Sequence, residues 1–208
     1  MTRGWRSLIA GACLALTGCA LLGKSDSRVH RYFTPEYEGS TVSPPAKSQL
    51  RLRLGQVSAW SHLRERMVVR NAGQEVVFSE SLRWTEPPEL YLRRALSRAL
   101  FEEQGVVQVV SGRGITLQVE LIAFEELAKE QLVRLQVLIV LHDERTGLME
   151  ETITVELPVR VTEEAEHPLA VVEALSLALK AGVSQTAERV VTKLVTLSPP
   201  EQAPASAR

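Results

Sequence analysis

The residue best placed to do chemistry in this chain is a cysteine near its start. Cys19 follows Leu16-Thr17-Gly18, so a large aliphatic residue, a small polar one and a glycine precede it. That is the pattern of a lipobox. The thiol takes a diacylglycerol through a thioether, the peptide bond before it is cut, and the freed amino group takes an N-acyl chain such as palmitate. The residues ahead fit the same reading. Arg3 and Arg6 give a positive start and Ser7 to Leu16 a short apolar run, the layout of a secretory leader. The run is roughly half of the ~20 residues a spanning helix needs. Cys13 is the weaker candidate, because Ala10-Gly11-Ala12 sets no large aliphatic residue three positions ahead of it. Residues 1–18 are expected to be removed as a signal peptide, with the lipid anchor on Cys19.

Little else in the chain advertises chemistry. His30, His62, His142 and His167 stand alone in sequence. His142-Asp143 reads as a solvated turn and His167 as the residue flanking a helix start. Gly112-Arg113-Gly114 has no helix after it to cradle a phosphate, and Ser111 has no nucleophile elbow around it. Glu125-Glu126 and Glu163-Glu164 read as solvated charge pairs near strand ends. With Cys13 lost and Cys19 lipidated, neither of the two cysteines is left for a disulfide or a metal. No enzyme activity, metal or cofactor is expected beyond the acyl chains on Cys19. Removing residues 1–18 takes away two arginines and no acid, so 24 basic and 25 acidic residues become 22 and 25, and the formal charge falls from −1 to −3. A mildly acidic chain has no net drive toward nucleic acid or anionic headgroups. Attachment then rests on the acyl chains, at about 0.8 kcal/mol per buried methylene.

The elements that would position these residues follow from periodicity. Pro35 to Ser48 is rich in Pro, Gly and Ser and reads as a linker, and residues 198–208 as a disordered tail. The predicted layout is a lipidated N-terminus and tether over 19–48, with a short strand at 31–34, and one folded domain over 49–197. In the domain, Leu50, Leu52 and Leu54 alternate with polar neighbours as a strand. Met67–Arg70 and Glu75–Ser79 flank a hairpin turn at Asn71-Ala72-Gly73. Thr85 is placed to cap a helix opened by Pro87-Pro88, with Leu92, Ala95, Leu96, Ala99 and Leu100 as its apolar stripe and Gly105 as its end. A short run at Val106–Val110 follows, then a strand on Ile115, Leu117, Val119 and Leu121. Leu132–Leu141, almost wholly aliphatic, reads as a central strand buried on both faces. Ile153, Val155 and Leu157 mark one side of a further strand. A last helix from Pro168 carries Leu169, Val172, Leu175, Leu179, Val183, Ala187, Val190 and Leu194 on one stripe. The predicted class is α+β: a mostly antiparallel or mixed sheet with two helices on one face.

Four stretches in order resemble the ABC-type transport auxiliary lipoproteins, the PqiC-like family. They are Arg31-Tyr32-Phe33-Thr34-Pro35 shortly after the lipid cysteine, Leu52-Arg53-Leu54-Gly55-Gln56-Val57 as a first long strand, Arg83-Trp84-Thr85-Glu86-Pro87 entering the first helix, and Ile115 to Phe124 with the strand and helix that follow. The third is the most specific, and it makes Arg83, Trp84, Glu86 and Pro87 the signature residues for partner contact or packing. A tryptophan at such a junction reads first as a packing plug with Arg83 stacked beside it. One stretch departs from the family. His62-Leu63-Arg64-Glu65-Arg66 stands where relatives are expected to have Tyr-Leu-Asp-Arg-Pro, with the charge order inverted and the proline gone.

The resemblance implies a periplasm-facing lipoprotein subunit of a system built on an MCE-domain protein with an inner-membrane permease, an ATPase or other membrane components. Such systems carry lipids or other hydrophobic molecules between membranes, and this subunit would dock the transporter to the outer membrane. Partners would be the MCE protein, the outer membrane through the anchor, and copies of the chain itself in a homo-oligomeric ring. Ala20 after the lipid cysteine, in place of aspartate, implies outer-membrane sorting by the rule of enteric bacteria. The other reading is a lipoprotein assembly or secretion factor for an outer-membrane barrel or complex, since one scaffold serves several roles. Cys19→Ala is expected to leave the chain unacylated and to release it from the membrane fraction. Intact mass spectrometry of that fraction checks this: a mature chain beginning anywhere but at a lipidated Cys19 contradicts it.

Overall fold

The computed structural model describes residues 29–37, 49–72, 75–161 and 166–198. Cys19, the leader, Gly73 of the hairpin turn, Glu163-Glu164 and the tail after Ser198 lie outside the described residues. Eight strands and two helices form one α+β domain. The strands are β1 (Arg31–Phe33), β2 (Arg51–Ala59), β3 (Arg66–Arg70), β4 (Val76–Trp84), β5 (Val107–Gln108), β6 (Thr116–Leu127), β7 (Leu132–His142) and β8 (Gly147–Pro158). Helix α1 spans Pro88–Ser97 and runs on into a π-helical turn over Arg98–Glu103, and α2 spans His167–Leu197.

The sheet is open and mixed. β3–β4, β6–β7 and β7–β8 pair antiparallel. β1–β4, β2–β5, β2–β6 and β3–β6 pair parallel. β6 is the hub. One of its edges is lined by β7 along the whole length, from Thr116↔His142 to Leu127↔Leu132. The other edge is shared: β2 takes Thr116 to Leu121 and β3 takes Glu125 to Leu127. A register shift between Leu121 and Ala123 separates the two halves. An extra residue of this kind turns the side-chain alternation over. Leu117, Val119 and Leu121 face the core before it, and Phe124 does after it.

Both helices cover the same face of the sheet. Val133, Leu135, Val137, Ile139 and Leu141 of β7 are fully buried there, whereas Leu132, Arg134, Gln136, Leu138 and Val140 are half-buried on the other face. β7 is thus interior in the ladder, but it is not buried on both faces as its aliphatic composition predicts. Among the described residues no second layer covers its even-numbered positions. α2, at 31 residues about 46 Å long, packs on β7 and β8. From Leu175 to Leu194 its predicted stripe is buried. In the first turns the phase differs: Leu169 is exposed, and Ala170, Val171 and Ala174 are buried instead, because the alanines let the helix sit close to the sheet. Farther along, any Cβ at Gly182 would collide with Leu135 of β7. Helix α1 ends as predicted at Gly105, whose φ of 66° turns the chain so that Val106 N–H reaches Leu100 O at 3.0 Å, a conformation glycine adopts without strain.

The Glu125-Glu126 pair is not solvated. Glu125 is wholly buried. It sits directly across from Arg134 of β7 and one strand over from Arg70 of β3. Arg70 Nε and Nη2 donate to its two carboxylate oxygens at 3.0 Å each, and Arg134 Nε donates to Oε1 at 3.1 Å with Nη2 on the same oxygen. A buried carboxylate needs such partners, and two guanidinium groups that still reach solvent supply them. Glu126 points to the helix side, where His167 Nε2 lies 3.1 Å from its Oε1. Burial pushes its carboxyl above the usual range and the His167 charge opposes the shift.

Removing the Glu125 carboxylate leaves both arginines without their counter-charge at the junction of three strands. Glu125→Ala is expected to cost about 3 kcal/mol, the low end for breaking a buried pair, since both arginines can turn to water. Urea unfolding with an unchanged m-value would read this directly. A loss below about 1 kcal/mol would mean that the pair is incidental.

Candidate functional site

The residues singled out in the sequence converge where the chain enters the fold. β1 lies parallel to β4 in the register Arg31↔Leu82, Tyr32↔Arg83 and Phe33↔Trp84. Alternation sends Phe33 and Trp84 toward the helices and Tyr32 and Arg83 to the opposite face. Trp84 is 1% exposed. Its ring meets Phe124 of β6 at 5.1 Å and Tyr91 of α1 edge-on at 6.4 Å. It fills the corner between sheet and first helix as the predicted plug.

Arg83 does not stack on it. Its guanidinium turns back along β4, Nη1 donating to Ser79 O at 2.6 Å and Leu82 O at 3.2 Å, and Nη2 to Glu80 O at 3.2 Å. The cause is local: β3 and β4 lose register between Arg66 and Val68, which leaves carbonyls of residues 79–82 for a long donor to satisfy.

Thr85 is not the helix cap. α1 begins at Pro88 with Pro87 in the N-cap position and no side chain capping it. A proline at the first helical position has no N–H to satisfy. The Thr85 hydroxyl joins a polar chain instead: it lies 2.6 Å from Tyr91 Oη and 2.8 Å from Thr34 Oγ1, while Glu86 N–H donates to Tyr91 Oη at 2.9 Å. The Thr85 N–H donates to Phe33 O at 3.0 Å. Glu86 accepts two hydrogen bonds from Arg94, at 2.8 and 2.9 Å. These hold its carboxyl below the usual range. Stabilisation from the pair is therefore present at neutral pH and lost as the pH falls through that lowered value.

Beyond β1 the chain continues as a strap over α1. Pro35 is buried. Glu36 N–H donates to Ser176 Oγ of α2 at 3.2 Å, and Tyr37 Oη donates to Glu103 at 3.5 Å. Burial and the nearby Glu103 carboxylate push the Tyr37 hydroxyl up to about 12, so it stays a donor. Arg31 pairs with Glu166 beside the start of α2 at 2.9 Å. Strap and helices border an open pocket of about 520 Å³ lined by Tyr37, Tyr91, Arg94 and Arg98 among others. Among the described residues, no group of three or more His, Cys, Asp or Glu side chains could hold a metal ion, and no helix is long and apolar enough to cross a membrane.

The family profile described as ABC-type transport auxiliary lipoprotein component matches residues 35–190. The chain belongs to that family. The match takes in the strand at Leu52–Val57, the Arg83–Pro87 signature, β6 and α2 as far as Val190. Solved structures of the same fold include two with a TM-score above 0.5. One, a Xanthomonas campestris protein of the DUF330 family, is 22% identical, with a TM-score of 0.64 over 80% of this chain and 96% of its own. Another, described only as an uncharacterized protein, is 16% identical, with a TM-score of 0.58 over 78% and 99%. At these identities the likeness concerns the fold alone. No curated protein matches the chain.

In this auxiliary lipoprotein, then, the signature binds the incoming chain to the first helix. Sequence reading missed Tyr91, which sits just ahead of the Leu92 stripe and supplies the hydroxyl on which Thr85 and Glu86 converge. Its position one turn into a helix that follows two prolines was the available signal. Trp84→Ala is expected to cost about 3–5 kcal/mol, as for other buried large-to-small changes. Glu86→Ala, at a solvent-facing ion pair, should leave the melting temperature nearly unchanged. Calorimetry of the two variants separates a packing signature from an exposed recognition motif, and equal small effects would contradict the packing role.

Proposed function

We propose that this auxiliary lipoprotein is a lipid-anchored, periplasm-facing subunit of an MCE-type system that moves lipids or other hydrophobic molecules between membranes, and that it docks the transporter to the outer membrane. The observation that carries the reading is β1. The strand that begins twelve residues after Cys19 belongs to the sheet. A lipid on Cys19 would therefore hold the domain within about 40 Å of the bilayer even with the tether fully stretched. A tether running free to Ser48, 29 residues on, would allow roughly 100 Å. A domain held so close to its membrane suits a fixed docking point. Membership in a transport auxiliary family supports the transport context, and the open sheet, whose long β8 has no strand beyond it among the described residues, suits a ring of copies that cover each other's edges.

The test is recovery of the native complex. Gentle crosslinking and detergent extraction from cells carrying the tagged chain are expected to bring down an MCE-domain protein, to give particles heavier than one copy by mass photometry, and to place the chain in outer-membrane density fractions. A monomer in inner-membrane fractions with no MCE protein would overturn the reading. A barrel protein recovered in its place would favour the assembly-factor role.

A further inference from the structure

The segment that departs from the family, His62-Leu63-Arg64-Glu65-Arg66, builds one wall of a cavity of about 480 Å³ whose other side is Phe78 and Arg83 of β4. Three guanidinium groups border it against the single carboxylate of Glu65. None of the three pairs with a carboxylate among the described residues. Arg64 Nε donates to Ser61 O at 3.2 Å, and Arg83 donates to three backbone carbonyls. Carbonyls fix these side chains without neutralising them, and each keeps further N–H groups to offer. The chain as a whole is acidic, so this is a local concentration of positive charge that the composition averages away.

One exposed aromatic side chain, Phe78, lines the cavity, and two more stand beside its lining residues: Trp60 next to His62 and Tyr32 next to Arg83. Trp60 is 48% exposed and packs edge-on against His62 at 6.1 Å, Phe78 is 37% exposed, and Tyr32 is 62% exposed. Arg66 and Arg83 are cross-strand partners, as are Val68 and Phe78, and Tyr32 is the register neighbour of Arg83. Residues in register share a face, so all of them lie on the side of the sheet away from the helices. Tyr32 is also where the chain from Cys19 joins the sheet, one strand spacing (about 4.8 Å) from Arg83. Trp and Tyr with arginine is the composition of a surface at the membrane–water boundary, where the rings sit among headgroups and guanidinium binds phosphate.

We propose that this face rests on the anionic phospholipid surface into which the anchor inserts, with lipid phosphates seated among Arg64, Arg66 and Arg83 and the rings of Trp60, Tyr32 and Phe78 at headgroup depth. The position of the tether decides for a membrane over an acidic protein, since the anchor brings headgroups to this face at high effective concentration. The inference rests on the lipid anchor of the proposed function and not on its transport partner.

The experiment uses the chain from residue 19 with Cys19→Ser, which removes the acyl chains and changes nothing in the described domain, and includes no other protein. Flotation with phosphatidylethanolamine–phosphatidylglycerol vesicles at low salt should carry the protein up, with a blue shift in tryptophan fluorescence. Phosphatidylcholine vesicles, or high salt, should not. Arg64→Gln/Arg66→Gln, both at exposed positions, should keep the wild-type melting temperature and weaken partitioning about thirtyfold, roughly fivefold per charge. Trp60→Ala should abolish most of the blue shift. No flotation of the wild type, or equal flotation of the double variant, would overturn the proposal. So would a fluorescence response to a polyglutamate peptide with none to vesicles, which would give the face to an acidic protein. Failure to recover an MCE protein from cells would leave this result untouched.

Discussion

One edge of β6 has to accept two different strands. β2 pairs with its first half and β3 with its last three residues, and the rest of the architecture follows from how the change is made. The shifted register after Leu121 reverses which residues face the helices, and it sends the carboxylate of Glu125 to the face that no helix covers. There Arg70 and Arg134 close over it from the strands on either side. The ion pairs thus bridge β3, β6 and β7 at the point where a short strand of five residues would otherwise be held to β6 by little more than three ladder positions. A buried carboxylate is a poor source of net stability and a good one of register, because every misaligned pairing strands a charge.

What β3 holds is the arm β1–β4–β3, and under the proposal above the arm is where the chain would meet its membrane. Trp84 at the end of β4 plugs the corner under α1, and Thr34, Thr85 and Tyr91 join the incoming segment to that helix. The Arg-Trp-x-Glu-Pro stretch therefore works as a fastening. Arg83 braces the irregular part of β4, Trp84 packs, Glu86 holds Arg94 and Pro87 sets the helix start. With a lipid on Cys19, as proposed, the fastening would set the distance between that lipid and the domain, because the chain from Arg31 on belongs to the sheet.

Long periodic segments were legible in the sequence. β6 through Leu121, β8, the later two-thirds of α2 and the end of α1 at Gly105 all follow from spacing and residue type. Two of the failures share a cause, namely that what decides them is remote. Glu125 looks like one acid of a solvated pair until Arg70, 55 residues away, is brought beside it by a parallel pairing that no local pattern announces. Leu132–Leu141 looks buried on both faces because nothing in it records that the second layer is missing. Thr85 has the chemistry of a cap, but Pro88 moves the helix start past it. The basic cavity was hidden in another way. A net charge of −1 over the whole chain says nothing about three arginines brought together from β4, from the segment ahead of β3 and from its first residue.

The central claim is an orientation: the face of the β1–β4–β3 arm that turns away from the helices meets the bilayer, and the helix layer lies on the far side of the sheet. Spin labels on the lipidated chain in liposomes test this most directly, one at Ala72 in the β3–β4 turn and one at Ser184 on the exposed side of α2, each read for relaxation by a nickel-chelating lipid at the membrane surface. Strong relaxation at residue 72 and weak relaxation at residue 184 is the expected result. Equal relaxation at both, or the reverse order, would contradict it.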